Sequence, residues 1–109
     1  MSEDTKEIIL AILKYLNDSL DEERIDFSKV NEESLGITHP KYCRILSMLV
    51  EEGYVKGFIK VHAPGVPYNQ YKSKTPRITI KGIDYLDQNK SSSKVYDILK
   101  EIRDWIPGY

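Results

Sequence analysis

Three features of the sequence predict an α+β fold, a winged helix-turn-helix made of five helices and a two-stranded wing. A helix, a short helix and a second long helix stand in that order before Gly53. A strand–loop–strand stretch follows, and from Tyr54 to Gly82 it contains no carboxylate. A further helix then opens at a Thr-Ile-Lys-Gly step, residues 79–82. Helix-turn-helix followed by β-hairpin is the order of a winged helix. The helices are expected over residues 5–17, 31–35, 39–52, 80–89 and 93–106, and the wing strands over 54–62 and 71–79. All belong to one domain, 1–109, because a chain of 109 residues is too short for two good cores.

In the first helix Ile9, Ile12, Leu13, Leu16 and Leu20 recur at helical spacing, and Asp4 or Thr5 can cap it. Asp21-Glu22-Glu23-Arg24 is a solvated turn, and Ile25-Asp26-Phe27 is either a very short strand or an extended lead-in. Asn31 caps the short helix and Gly36 stops it. The next helix opens at Thr38-His39-Pro40, with Thr38 or His39 as cap, since proline is tolerated in a first turn whose N–H groups have no intrahelical partner. Its buried stripe is Tyr42, Ile45 or Leu46, and Leu49, with Val50 at the edge; Lys41, Arg44, Ser47 and Met48 fall on the other face. Gly53 ends it.

The first wing strand carries Tyr54, Val55, Phe58, Ile59 and Val61, with Lys56, Lys60 and His62 at alternate positions. Ala63-Pro64-Gly65-Val66-Pro67 breaks it, and a loop longer than a tight turn predicts a mobile wing tip. The return strand ends in alternating Ile78 and Ile80. Thr79 is placed to cap the following helix, whose inward residues are Ile83, Leu86 and Tyr85, and Gly82 lets its first turn approach another backbone closely. After the polar break at residues 89–93, Val95, Ile98, Leu99, Ile102, Trp105 and Ile106 line one face of the last helix, which Pro107-Gly108 terminates.

Charge is unevenly spread. The net charge is −1, but Met1–Ile37 holds ten acids against four bases, whereas Tyr54–Gly82 holds Lys56, Lys60, Lys72, Lys74, Arg77 and Lys81 with no acid in 29 residues. Such a segment is the electrostatic footprint of a polyanion. Expected contacts to double-stranded DNA are Thr38, His39, Lys41, Arg44 and Ser47 on the recognition helix, where such helices meet base edges. On the wing, Lys56, Lys60, Lys72, Lys74 and Arg77 would meet phosphates, with Tyr68 and Tyr71 on sugar or an unpaired base. The alternative is a protein-interaction module with no affinity for DNA, for which the acidic N-terminal third offers a counter-surface; the blandest reading is a solvated hairpin whose lysines guard an edge strand.

An enzyme is not expected. His39 and His62 are the only histidines, and neither has metal-ligand spacing, so no metal or other cofactor is predicted. Cys43 stands four residues after His39 and could pair thiol with imidazole, but a buried structural thiol is the preferred reading. One cysteine forms no internal disulfide, the longest apolar run (Ile8 to Leu13) cannot span a membrane, and the acidic N-terminus is unlike a signal peptide; the expected compartment is the cytoplasm.

The phrase Leu49-Val50-Glu51-Glu52-Gly53-Tyr54-Val55 looks like the recognition-helix exit of winged-helix regulators. Ile78-Thr79-Ile80-Lys81-Gly82-Ile83-Asp84-Tyr85-Leu86 looks like the segment that follows their wing. More narrowly, Glu52-Gly53-Tyr54-Val55-Lys56-Gly57, Ile78 to Gly82 with Tyr85-Leu86, and Ile98 with Lys100 to Ile106 are similar to the YjcQ family. The similarity covers the C-terminal half well and the first helix loosely; the connection from Asp18 to Asn31 and the Pro-rich wing are longer here. What it implies is a small bacterial or phage protein with a winged-helix-like fold and no established activity, and no catalytic residue to carry over.

The last helix is read as a lid on Ile9, Ile12 and Leu16, or else as a homodimer seam through Val95, Leu99, Ile102, Trp105 and Ile106. Light scattering at high concentration separates the two: a lid gives a monomer mass at every concentration, and a seam gives twice that mass.

Overall fold

The computed structural model describes residues 4–89 and is α+β, four α-helices with a two-stranded antiparallel sheet in a winged-helix-like arrangement. Helix α1 spans Asp4–Asp18, α2 Glu32–Leu35, α3 His39–Glu51 and α4 Ile80–Gln88; strand β1 spans Val55–Val61 and β2 Gln70–Ile78. The stripe expected at Val95, Leu99, Ile102, Trp105 and Ile106 lies outside the described residues. Among those described, no helix is long and apolar enough to cross a membrane.

Helix α1 is buried further round than a single stripe predicts. Ile8, Leu10, Ala11, Ile12, Leu13, Tyr15 and Leu16 are all buried, while the expected stripe members Ile9 and Leu20 are half-buried and exposed. The reason is position: α1 packs against α3, β2 and α4, and a helix enclosed on several sides needs apolar residues on several sides. Leu20 falls outside because the chain tightens into a 3-10 turn at Ser19–Asp21. No strand forms at Ile25-Asp26; the segment leads into another 3-10 turn, Phe27–Val30, whose Phe27 and Val30 enter the core.

Helix starts follow side-chain chemistry. Asn31 accepts from the Ser34 N–H at 2.9 Å, and the Asn31 N–H donates to the Ser34 hydroxyl, so both ends of the α2 cap are satisfied. Thr38, not His39, caps α3, accepting from the Lys41 N–H at 3.3 Å. The inward face of α3 is wider than expected: Tyr42, Cys43, Ile45, Leu46 and Leu49 are all buried.

The wing departs from simple alternation. Val55 faces Ile78 and Lys56 faces Arg77, but the next pair is Phe58 with Ser73, so one residue of β1, Gly57, opposes three of β2. Gly57 has φ +90°, and a Cβ there would lie 1.8 Å from the Thr75 carbonyl oxygen. Only glycine fits this bulge, and Pro76, which has no N–H for a ladder, is buried within it. Beyond the bulge, opposite residues share a face: Phe58 with Ser73 and Lys60 with Tyr71 on one side, Ile59 with Lys72 on the other. Phe58 packs edge-on against Phe27 with ring centroids 5.0 Å apart, so its face turns toward the helices. The other turns outward, leaving Ile59 48% and Val61 41% exposed. Lys60 and Lys72 therefore lie on opposite faces of the ribbon.

One junction fixes the wing to the helices. The Thr79 hydroxyl donates to the Gly53 carbonyl at 2.6 Å and accepts from the Gly82 N–H at 3.0 Å, while the Thr79 N–H donates to the Tyr54 carbonyl at 3.0 Å. A Cβ on Gly82 would meet that Tyr54 oxygen at 2.2 Å, as the close backbone approach predicted for this glycine requires. Gly82→Ala is expected to cost about 1–3 kcal/mol, and Thr79→Val about the same through loss of cap and cross-link. Each should lower the urea midpoint at unchanged slope; wild-type midpoints would contradict the junction's role.

Candidate nucleic-acid interface

Helix α3 is held to the start of β2 and the residues just before it by four contacts. Tyr68 lies beside the Arg44 guanidinium, 5.4 Å from carbon to ring centroid, and edge-on to His39 at 6.0 Å. Gln70 Oε1 lies 3.2 Å from His39 Nε2. The Ser47 hydroxyl donates to the Tyr71 hydroxyl at 3.1 Å. Cation–π attraction, a hydrogen bond and a hydroxyl pair thus run along the outward face of α3.

This places the residues expected to read bases. Thr38 is spent as the helix cap, and His39, Arg44 and Ser47 each engage the wing side. Lys41 is half-buried. Tyr68 and Tyr71, expected on sugar or base, also hold the wing to α3. The surroundings of this face are acidic: Glu32 and Glu33 belong to α2, and Glu51 and Glu52 are exposed at the far end of α3.

The wing bases stand differently. Lys56, Lys60, Lys72, Lys74 and Arg77 are exposed, and none pairs with a carboxylate among the described residues. Lys56 and Arg77 directly oppose each other across the ladder, a like-charge juxtaposition that is unfavourable without an anion. Lys81 behaves otherwise, lying 5.7 Å from the Tyr54 ring, which itself stacks on Tyr85 at 4.8 Å.

His39 is also bound to Glu32, Nδ1 to Oε2 at 2.5 Å, so both ring nitrogens face acceptor oxygens. Only the imidazolium donates to both. The Glu32 hydrogen bond, then that to Gln70, raises the His39 pKa against a small opposing effect of burial. For Glu32, burial pushes upward, but the His39 bond, its own backbone N–H and the His39 charge outweigh it and hold the carboxyl below its usual range. Glu32 and Gln70 are the partners that sequence reasoning missed. Glu32 stands one short helix away and might have been sought as an acid near a helix start; Gln70 carries no local signal, because only folding of the wing brings it to α3.

The thiol–imidazole proximity is real: Cys43 Sγ lies 3.5 Å from His39 Nε2 and 3.9 Å from Nδ1. Near-equal distances set the sulfur against the ring rather than in line with one nitrogen. Cys43 is 2% exposed, and burial, then the Glu32 charge, push its pKa up. A protonated, enclosed thiol is a poor nucleophile and a good core atom.

Comparison with known proteins supplies the family. A family model described as "YjcQ protein" matches residues 10–105. A protein of Bacillus subtilis (strain 168) described as "Uncharacterized protein YjcQ" is 36% identical over 77 residues, covering 71% of this chain and 78% of that relative. No solved structure matches.

The His39 contacts make stability depend on pH. A raised histidine pKa contributes stability that is complete below the ordinary value of 6.5 and is lost as pH rises through the folded value. A depressed Glu32 contributes above its ordinary 4.5 and loses that as pH falls through its folded value. The difference in urea midpoint between wild type and His39→Ala should therefore be largest between pH 4.5 and 6.5 and shrink toward pH 8.5. A difference that stays flat over that range would remove the ionic contribution.

Proposed function

The chain belongs to the YjcQ family, and we propose that it is a DNA-binding protein, a candidate transcriptional regulator, whose wing grips phosphates. The observation that carries this reading is the set of five exposed, carboxylate-free bases on β1 and β2, with Lys56 and Arg77 set directly against each other. Two bases held side by side at no visible benefit to the fold suit a ligand that brings its own negative charge. A duplex offers one charge per about 1.7 Å of axis, and release of its counterions drives such binding. The fold-level analogy to winged-helix regulators raises the same expectation by association only. On this reading the protein is a binder and not an enzyme, in keeping with the enclosed Cys43.

The runner-up is docking onto an acidic protein partner, which the same bases and the exposed Ile59 and Val61 would also suit. Pairing with a second copy through residues 93–106 is compatible with either.

Fluorescence anisotropy on a mixed-sequence duplex separates these readings. Binding should weaken steeply with salt. The combined variant Lys72→Ala, Lys74→Ala, Arg77→Ala should bind at least about tenfold more weakly whatever the sequence, and its log–log salt slope should flatten by roughly 2–3, near 0.9 per lost phosphate contact. No binding by the wild type at low salt and high micromolar protein would overturn the proposal and move the assignment to a protein partner.

A further inference from the structure

The face of the ribbon opposite to Phe58 and Tyr71 holds two large apolar residues that the fold does not use, although Gln70 at its end reaches round to His39. Ile59 and Val61 are 48% and 41% exposed, and Lys72 lies directly across from Ile59 on the same face. On the other side, two features make α3 a poorer fit to a groove than the ribbon. Tyr68, Gln70 and Tyr71 would have to leave Arg44, His39 and Ser47 before α3 could lie against base edges. Glu32, bound to His39 at one end of that face, and the exposed Glu51 and Glu52 at the other would meet phosphates with repulsion. A B-form major groove admits a two-stranded β-ribbon as readily as a helix.

Resting on the DNA-binding reading above, we infer that the wing ribbon itself enters the major groove, with Ile59 and Val61 against thymine methyl groups and α3 held outside. Lys72 points to the same groove floor, and Lys56, Lys74 and Arg77, spread along the strands, reach the phosphates at its rims. The partner is a duplex, because a ribbon needs two groove walls to bring its bases to phosphate on both sides. Selectivity then comes from apolar contact: thymine is the base that presents a methyl group in the major groove. Phosphate contacts alone would be blind to that methyl.

The test replaces thymine by uracil, which removes the methyl and leaves the pairing edge intact. Duplexes of one A·T-containing sequence, made with thymine or with uracil, are titrated at fixed salt against the wild type, against Ile59→Ser combined with Val61→Ser, and against Lys41→Ala combined with Arg44→Ala. The wild type should prefer the thymine duplex by roughly fourfold for each buried methyl. The Ile59/Val61 variant should still bind but lose that preference; both positions are exposed, and circular dichroism verifies its fold. The Lys41/Arg44 variant should keep the preference. Duplex binding indifferent to the methyl, or a preference that vanishes with Lys41 and Arg44 instead, would overturn the groove placement and leave the phosphate-gripping reading standing. Tighter binding to the isolated strand than to its duplex would overturn it too. Failure to bind any DNA would overturn both.

Discussion

The placement of the wing depends on the Thr79 hydroxyl and the space beneath Gly82. A single side chain accepts the Gly82 N–H in the first turn of α4 and donates to the Gly53 carbonyl just past α3, while its backbone N–H holds the Tyr54 carbonyl. Ends of three elements meet there within hydrogen-bond reach, and they meet because no Cβ stands between Gly82 and the Tyr54 carbonyl. The two phrases that looked like a winged helix, Glu52-Gly53-Tyr54 and Ile78-Thr79-Ile80-Lys81-Gly82, are the two halves of this one contact. Neither half is useful alone, so the wing is tied at its base in the same place where both strands begin and end.

From that base the ribbon is steered by a defect. Gly57 opposing residues 74–76 turns Phe58 inward onto Phe27 and Ile59 outward, dividing the basic residues between two faces. The inward face then closes on α3 through Tyr71, with Tyr68 and Gln70 completing the clasp. Helix α3 thereby becomes the wing's support. Electrostatics agree with the geometry, since acids cluster around α3 while the wing strands carry none.

The clasp is also where the fold touches solution conditions. His39 joins α2, α3 and β2 through Glu32 and Gln70, most strongly when both its nitrogens are protonated. Cys43 beneath it fills space against the ring. The pair is the packed thiol that the sequence favoured, beside a cross-linking imidazole, because burial disfavours the thiolate and both ring nitrogens have other partners.

The sequence by itself determined the local features. Capping chemistry at Asn31, Thr38 and Thr79, the break at Ala63 to Pro67 and the acid-free run are all properties of neighbours along the chain, and all lie where they were read. It also carried the family, through phrases of adjacent residues. Tertiary structure decided what depends on residues far apart. Alternation along β1 gave the wrong faces because Gly57 opposes three residues of a strand that starts 13 positions later. Helix α1 proved buried on several sides because its packing partners lie scattered from α3 to α4. The outward face of α3 meets the wing because Gln70 and Tyr71 come back to it, while Arg44 and Met48 stay exposed. The run of lysines was legible from the start; which side of the ribbon each of them occupies was set by one bulge and one clasp, and neither leaves a periodic mark in the sequence.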